Sequence, residues 1–442
     1  MSFALARTVA LSAALAALPH FMGAQPRRAF PDSLTDREFW QFLTSMSEEG
    51  GAFPSENFVS NEKTYQYVIP TLERTLTPNG VYLGVGPEQN FTYIVNLKPR
   101  LAVIFDIRRQ NAMAHLMYKA LFELSPTRAA FVSRLFSRPL PASLSASATP
   151  AEIFAAVAEV SASDSAFDAT WKAIVDRLTV KHRFAMSDSD VVSMRRVFTA
   201  FKEAGPDISY AYRLGAPPPS VTQWHVTYAQ LQSLTNADSV NMAFLANEES
   251  YGWIRRLQSR NMVVPVVGDF AGPKAIRAVG EFIAQRGAIV TAFYTSNVEQ
   301  YLFDGFGAEQ RFYKNVATLP VDSTSSFIRT LPAGAGPGPI LASGSIQFAG
   351  FPLSSTIRYS GIRIMDSSGV RVIVATGVDS AGNPVTTRLA TPTPPAVSTT
   401  GAFVSGIAAI RGLLEAFTAG QLTRYDQVVA QTKTDGWKQP VR

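Results

Sequence analysis

The residues best able to do chemistry cluster at two strand ends. In "GVYLGVGPEQN" (80–90), Gly84 and Gly86 stand where an apolar run stops, and Glu88 follows two residues on. In "AVIFDIRRQN" (102–111), Asp106 closes a second apolar run and is followed by Arg108 and Arg109. Glycines at a strand end allow a sharp turn and let a ligand approach bare backbone. A carboxylate twenty positions after Gly86, at the end of the next strand, is placed to accept both hydroxyls of a ribose. The dinucleotide pattern G-x-G-x-x-G is not met, because Gln89 occupies its third glycine position. Glu88 would also repel a pyrophosphate drawn to the positive end of the helix that starts there. The pair of strand ends therefore argues against NAD and for a ligand with cationic groups and no phosphate at the turn.

A second constellation lies at two later strand ends. Asp269 sits in "VPVVGDFAG" (264–272), and Tyr294, Ser296 and Asn297 in "FYTSNVEQ" (293–300). Asp269 reads either as a general base or as the residue that closes its own turn. Asn297 reads as a ligand contact or as a strand terminator. Asn61 and Glu62 fall on an expected helix over the cleft, where Glu62 either serves the site or complements the helix dipole. Arg108 and Arg109 suit a carboxylate substrate or surface acids. Of the four histidines, His20 belongs to the leader, His115 faces the cleft or the core, and His225 lies among aromatic residues; His182 joins no metal-spaced group. No H-E-x-x-H, G-x-S-x-G or G-K-[ST] pattern occurs, which removes the common zinc, serine-hydrolase and P-loop chemistries.

The elements that must hold these residues follow from periodicity. Helices are expected over 33–43, capped by Ser33, and from about Asn61, capped by Ser60. Strands are expected over 81–86 and 101–106, with a helix over 87–97 between them and another over 111–124. Residues 125–245 read as a helical insertion, with helices near 151–161, 166–180 and 190–204, the last capped at "SDSD" (187–190) and stopped at Gly205-Pro206. The α/β pattern returns as a strand over 262–270, a helix over 273–287 and a strand over 288–298. A Gly/Pro stretch at 332–344 marks a boundary. Beyond it, residues 331–442 read as a linker, a small β-rich piece and a final amphipathic helix over 403–417.

Composition bounds the rest. The chain has 442 residues, 46% of them hydrophobic and 17% charged, enough for a large core and more than one folded unit. A net charge of +6 without a dense basic run gives nucleic-acid binding little support. The absence of cysteine excludes disulfides, thiolate nucleophiles and thiolate-held metals. Residues 1–24 have the layout of a secretory signal peptide: Arg7, an apolar run and a small-residue stretch ending near Ala24. The run is too short for a transmembrane helix. The expectation is export, with a cytoplasmic protein as the alternative, and no membrane span after processing.

With these residues in view, the first two strand ends resemble motifs I and II of class I S-adenosylmethionine-dependent methyltransferases. The blocks "GVGPEQNFTYI", "DIRRQN", "VPVVGDFAGPKAIRAVGEFI" and "FYTSNVEQYLF" together resemble an uncharacterised bacterial family of that fold. The resemblance spans roughly 35–330. It implies a doubly wound, mainly parallel α/β sheet over 33–330 with the helical insertion, and a C-terminal β-containing appendage. It implies S-adenosylmethionine as cofactor, with Gly84, Gly86 and Glu88 at its methionine end and Asp106 at its ribose. Asn297 would line the same cleft, and Asp269 would be the base. No D/N-P-P-Y/F motif accompanies them, so the acceptor stays open. Two functions follow as expectations: a methyltransferase of undetermined acceptor, or an exported non-catalytic binding or structural protein that keeps the fold.

Overall fold

A computed structural model describes residues 29–139, 144–215, 226–303, 306–332, 358–367, 370–378, 383–390 and 403–434. The signal-like segment 1–24, His20 and His225 lie outside them. The main sheet has six strands in the order β3-β2-β1-β4-β5-β9: β1 (Val81–Val85), β2 (Leu101–Asp106), β3 (Val263–Val267), β4 (Val290–Ser296), β5 (Ser326–Pro332) and β9 (Phe403–Ala409). The first five run parallel, and β9 is antiparallel to β5. Strands β6 (Arg358–Ser367), β7 (Val370–Val378) and β8 (Pro384–Ala390) form a separate antiparallel sheet. The first four strands are buried along almost their whole length, as expected of parallel strands covered on both faces.

Two groups of helices flank the sheet. Helices α1 (Asp36–Met46) and α2 (Ile69–Thr75) precede β1, α3 (Gln89–Leu97) links β1 to β2, and α4 (Arg109–Leu124) leaves β2. The insertion supplies α5 (Arg128–Phe136), α6 (Pro150–Ala158), α7 (Asp164–Val175), α8 (Asp188–Ala204) and α9 (Tyr228–Ser233), and α10 (Glu248–Ser259) returns the chain to β3. The later units contribute α11 (Ala275–Ala284), α12 (Val298–Leu302), α13 (Ala308–Val316), α14 (Ile410–Thr418) and α15 (Tyr425–Ala430). Helices α3, α4 and α10 pack together over β1–β3, while α1, α11, α13 and α14 pack in series. The architecture is thus α/β and Rossmann-like. Among the described residues, no helix is long and apolar enough to cross a membrane.

Three expectations change. The first helix is capped by Thr35 rather than Ser33, because Glu38 reaches back to the Thr35 N–H (2.8 Å) while Thr35 Oγ1 accepts from the Glu38 N–H (3.2 Å). The helix expected from Asn61 begins only at Ile69, although Ser60 Oγ accepts from the Glu62 N–H at 3.2 Å while donating to Gln89. The helix expected over 403–417 is half strand: β9 closes the open edge of β5, and only from Ile410 does the chain become helical. The C-terminal stretch is therefore not wholly an appendage, because β9 completes the main sheet.

Phe91 of α3 anchors the core on the side that faces the insertion. Its ring is fully buried and meets His115, Tyr118, Phe122 and Phe244 edge-on, with centroids 5.3–5.5 Å apart. On the other side, Glu299 and Arg329 form a sealed ion pair to which the Tyr313 hydroxyl donates at 2.7 Å. We expect Phe91→Ala to lower unfolding free energy by about 3–5 kcal/mol, read from urea denaturation; a loss under ~1 kcal/mol would show that the insertion does not fold onto α3 as described.

Candidate functional site

The carboxyl ends of β1, β2 and β4 meet where the strand order reverses, the usual ligand crevice of an open α/β sheet. Gly86 ends β1 at φ +78°, a left-handed value that glycine adopts freely. Its N–H donates to Phe105 O at 3.1 Å, which ties the turn to the end of β2 and so to Asp106. The Gly86 carbonyl points the other way and accepts from Asn111 Nδ2 (3.0 Å) and His115 Nε2 (2.9 Å), both on the first turns of α4.

Gly84 serves the protein itself. A Cβ there would lie 1.9 Å from Asn90 Oδ1. The Asn90 amide fills that space, donating to Val85 O (2.9 Å) and Pro87 O (2.7 Å) and accepting from the Tyr82 hydroxyl (2.8 Å). Glu88 is buried beneath the turn, and neither carboxyl oxygen makes a hydrogen bond. Burial pushes its pKa up to about 8, although the N–H groups of Ser60 and of Glu88 itself lie near enough to ease ionisation. At neutral pH it is therefore largely an uncharged acid.

Asp106 is engaged as well. Arg108 holds it bidentately, Nε to Oδ1 at 2.9 Å and Nη2 to Oδ2 at 2.6 Å, and the Arg108 N–H adds a third bond at 2.8 Å. Arg109 does the same to Asp190 of α8, at 2.6 and 2.8 Å. Both arginines thus clamp carboxylates of the chain itself. The remaining Arg108 nitrogen donates to Ser55 O (3.0 Å) and Glu56 O (2.6 Å).

Those two carbonyls belong to a strap, residues 47–58, laid across the carboxyl edge of the sheet. Ser47 and Glu48 bond to Val267 at the end of β3, and Gly51 N–H donates to Ile107 O at 2.6 Å. The Glu48 carboxylate accepts from the N–H groups of Asp269, Lys274 and Ala275, at 2.9–3.1 Å, and so caps α11 from a distance. Asp269 closes its own turn, accepting from the Ala271 N–H at 2.9 Å, and burial with Glu48 nearby raises its pKa. Asn297 precedes α12 without capping it through its side chain; Ser296 and Tyr301 are among its polar neighbours.

The fold also joins polar residues that stand far apart in the sequence. The Glu62 carboxylate accepts from Tyr294 OH (2.8 Å), Ser296 Oγ (2.5 Å) and Gln89 Nε2 (2.7 Å). Ser296 is held at φ +52°, a strained value for a residue with a side chain. Gln89, which in the sequence only breaks the dinucleotide pattern, donates to Glu62 and Tyr294 because α3 sets it against β4. Between the strap, the turn, α4 and α8 lies a cleft of about 270 Å³ counting its open mouth, lined among others by Asn57, Phe58, Pro87, His115, Tyr118 and Val197. Among the described residues, no group of histidines and acids could hold a metal ion.

A family model described as a domain of unknown function, DUF7790, matches residues 57–340, more than half of the chain. No curated protein matches the chain.

The buried acid gives a signed pH dependence. Its folded-state pKa lies above the usual value of 4.5, so its contribution to stability is whole below about pH 4.5 and is lost as pH rises through about 8. Glu88→Gln should therefore gain on the parent protein between pH 5 and pH 8, by a few kcal/mol at ~1.4 kcal/mol per unit. Equal pH profiles for the two proteins in thermal melts would mean that Glu88 reaches solvent.

Proposed function

The chain belongs to the DUF7790 family, and we propose that it is an S-adenosylmethionine-dependent methyltransferase of undetermined acceptor in which Arg108 competes with the cofactor for Asp106. The observation that carries this reading is the left-handed Gly86 turn lying beside Asp106 at the ends of adjacent strands β1 and β2, next to the reversal of strand order. A nucleoside does not fit the side chains as they stand. Arg108 holds both Asp106 oxygens, and Asn90 fills the space at Gly84.

Ligand entry thus requires Arg108 to let go. Removing one partner of a buried ion pair costs about 3–5 kcal/mol, which sets the scale for displacing Arg108. Two ribose hydroxyls bonded to the freed carboxylate return about 1.5–3 kcal/mol each. The exchange is close to balanced, so the internal pair would weaken a cofactor without excluding it.

The same pair favours a second reading, an exported non-catalytic binding or structural protein that keeps the fold and has given its ribose carboxylate to Arg108. Calorimetric titration with S-adenosylmethionine and S-adenosylhomocysteine separates the two. The methyltransferase reading expects Arg108→Met to bind at least tenfold tighter than the parent protein. It expects Asp106→Ala to bind about a hundredfold weaker, ~2.7 kcal/mol. No heat with either ligand, from folded parent and folded Arg108→Met alike, would sink it and leave the second reading.

A further inference from the structure

Residues 52–57 of the strap lie against the two features that a ligand in the crevice would need. Asn57 Nδ2 is 3.8 Å from where a Cβ would stand on Gly86, and Arg108 joins the strap to Asp106. The strap is held by few bonds. Among the described residues, 52–57 make no backbone–backbone hydrogen bond, whereas Gly51, just before them, is tied to Ile107. Left-handed φ values mark both ends, +90° at Gly50 and +47° at Asn57. Ala52 and Pro54 face solvent, while Ser55 is turned inward and 8% exposed.

Among the described residues, Arg108 Nη1 is the one donor to Ser55 O and to Glu56 O. The other attachments are weaker. Arg196, which pairs with Glu56, is 46% exposed, and exposed ion pairs contribute little. Arg213 Nη1 reaches Ser55 Oγ only at 3.4 Å. One guanidinium thus holds both the carboxylate and the strap. Its Nε and Nη2 face Asp106 and its Nη1 faces the strap, and a planar group moves all three together. Once Arg108 leaves, both strap carbonyls lose their donor. Buried, they would be costly; turned to water, they are not.

We propose that residues 52–57 are a lid latched by Arg108, which opens over Gly86 and Asp106 when Arg108 leaves Asp106. Release of the carboxylate and opening of the lid are then one equilibrium, and a ligand that takes Asp106 draws the lid open with it. The lid rests on the proposed function for what it admits, but not for whether it moves. Its test uses no cofactor. A titration without heat would leave the lid standing, and a strap that stays shut would leave the methyltransferase reading to the titration.

The full chain has no cysteine, so a single introduced thiol reports a single place. Ser55→Cys reads the strap, and Ser125→Cys, fully buried at the end of α4, reads the rest of the fold. Each is combined with Arg108→Met, with Asp106→Ala, and with Asp106→Asn/Arg108→Met, which leaves no lone buried charge. The measurement is the rate of alkylation by N-ethylmaleimide. With Arg108 and Asp106 intact, the thiol at 55 should react far more slowly than in urea. Each of the three backgrounds should speed it about tenfold, ~1.4 kcal/mol in the opening equilibrium, while the thiol at 125 stays slow. A thiol at 55 that no background accelerates would overturn the latch. Equal acceleration at 125 would overturn the lid, because Arg108 would then be holding the whole fold. Acceleration by Arg108→Met without any by Asp106→Ala would overturn the coupling to Asp106.

Discussion

The peptide at Gly86 is the constraint on which the carboxyl edge of the sheet depends. With φ at +78°, its N–H faces β2 and its carbonyl faces α4, so one residue ties the strand end, the neighbouring strand and the next helix together. A side chain at this position would meet no close atom, the nearest being Asn57 Nδ2 at 3.8 Å from a Cβ. The requirement is therefore conformational, and only glycine takes such a φ without cost. The consequences spread outward: α4 is docked by Asn111 and His115, the tautomer of His115 is set, and the cleft gets its inner wall.

Around that turn the protein has used its own side chains where a ligand-binding relative of this architecture would leave space. Asn90 occupies the room that Gly84 provides, and Arg108 satisfies Asp106 while gathering the strap through two carbonyls. A guanidinium with one face on a carboxylate and another nitrogen on backbone carbonyls is a rigid bracket, since its donors are fixed in one plane. Asp190 with Arg109, and Arg196 with Glu56, then carry the attachment outward to α8 of the insertion. The strap, the sheet edge and the insertion are thus joined by three arginines.

Much of this scaffold was legible in the sequence. The runs at 81–86 and 101–106 and the stop at Gly205 correspond to observed elements within a residue or so, because buried parallel strands and glycine caps leave local signatures. Residues 403–417 were read as helix because the stretch is apolar at helical spacing. Its first half became a strand because β5 offered an open edge, which is not a local fact. The site was legible in membership more than in pairing. Asp106 and Arg108 are two residues apart, but whether Arg108 turns back on Asp106 depends on the strap carbonyls that hold its third nitrogen. More than 230 positions separate Glu62 from Tyr294 and Ser296, and only the packing of the segment before α2 against the end of β4 brings them together.

The late arrival of β9 has a consequence for biosynthesis. Strand β5 shows its outer row of backbone groups until residues 403–409 exist, and β9 is itself closed on its far side by Lys433, which exchanges bonds of 3.0 and 2.8 Å with Ile407. At about 5–20 residues per second, the stretch between β5 and β9 takes several seconds to emerge from a ribosome. For that interval the nascent sheet carries an unpaired edge, the feature most prone to pairing with another chain. A nascent chain interrupted there would hold a nearly finished Rossmann-like core with its edge exposed, a natural client for a chaperone.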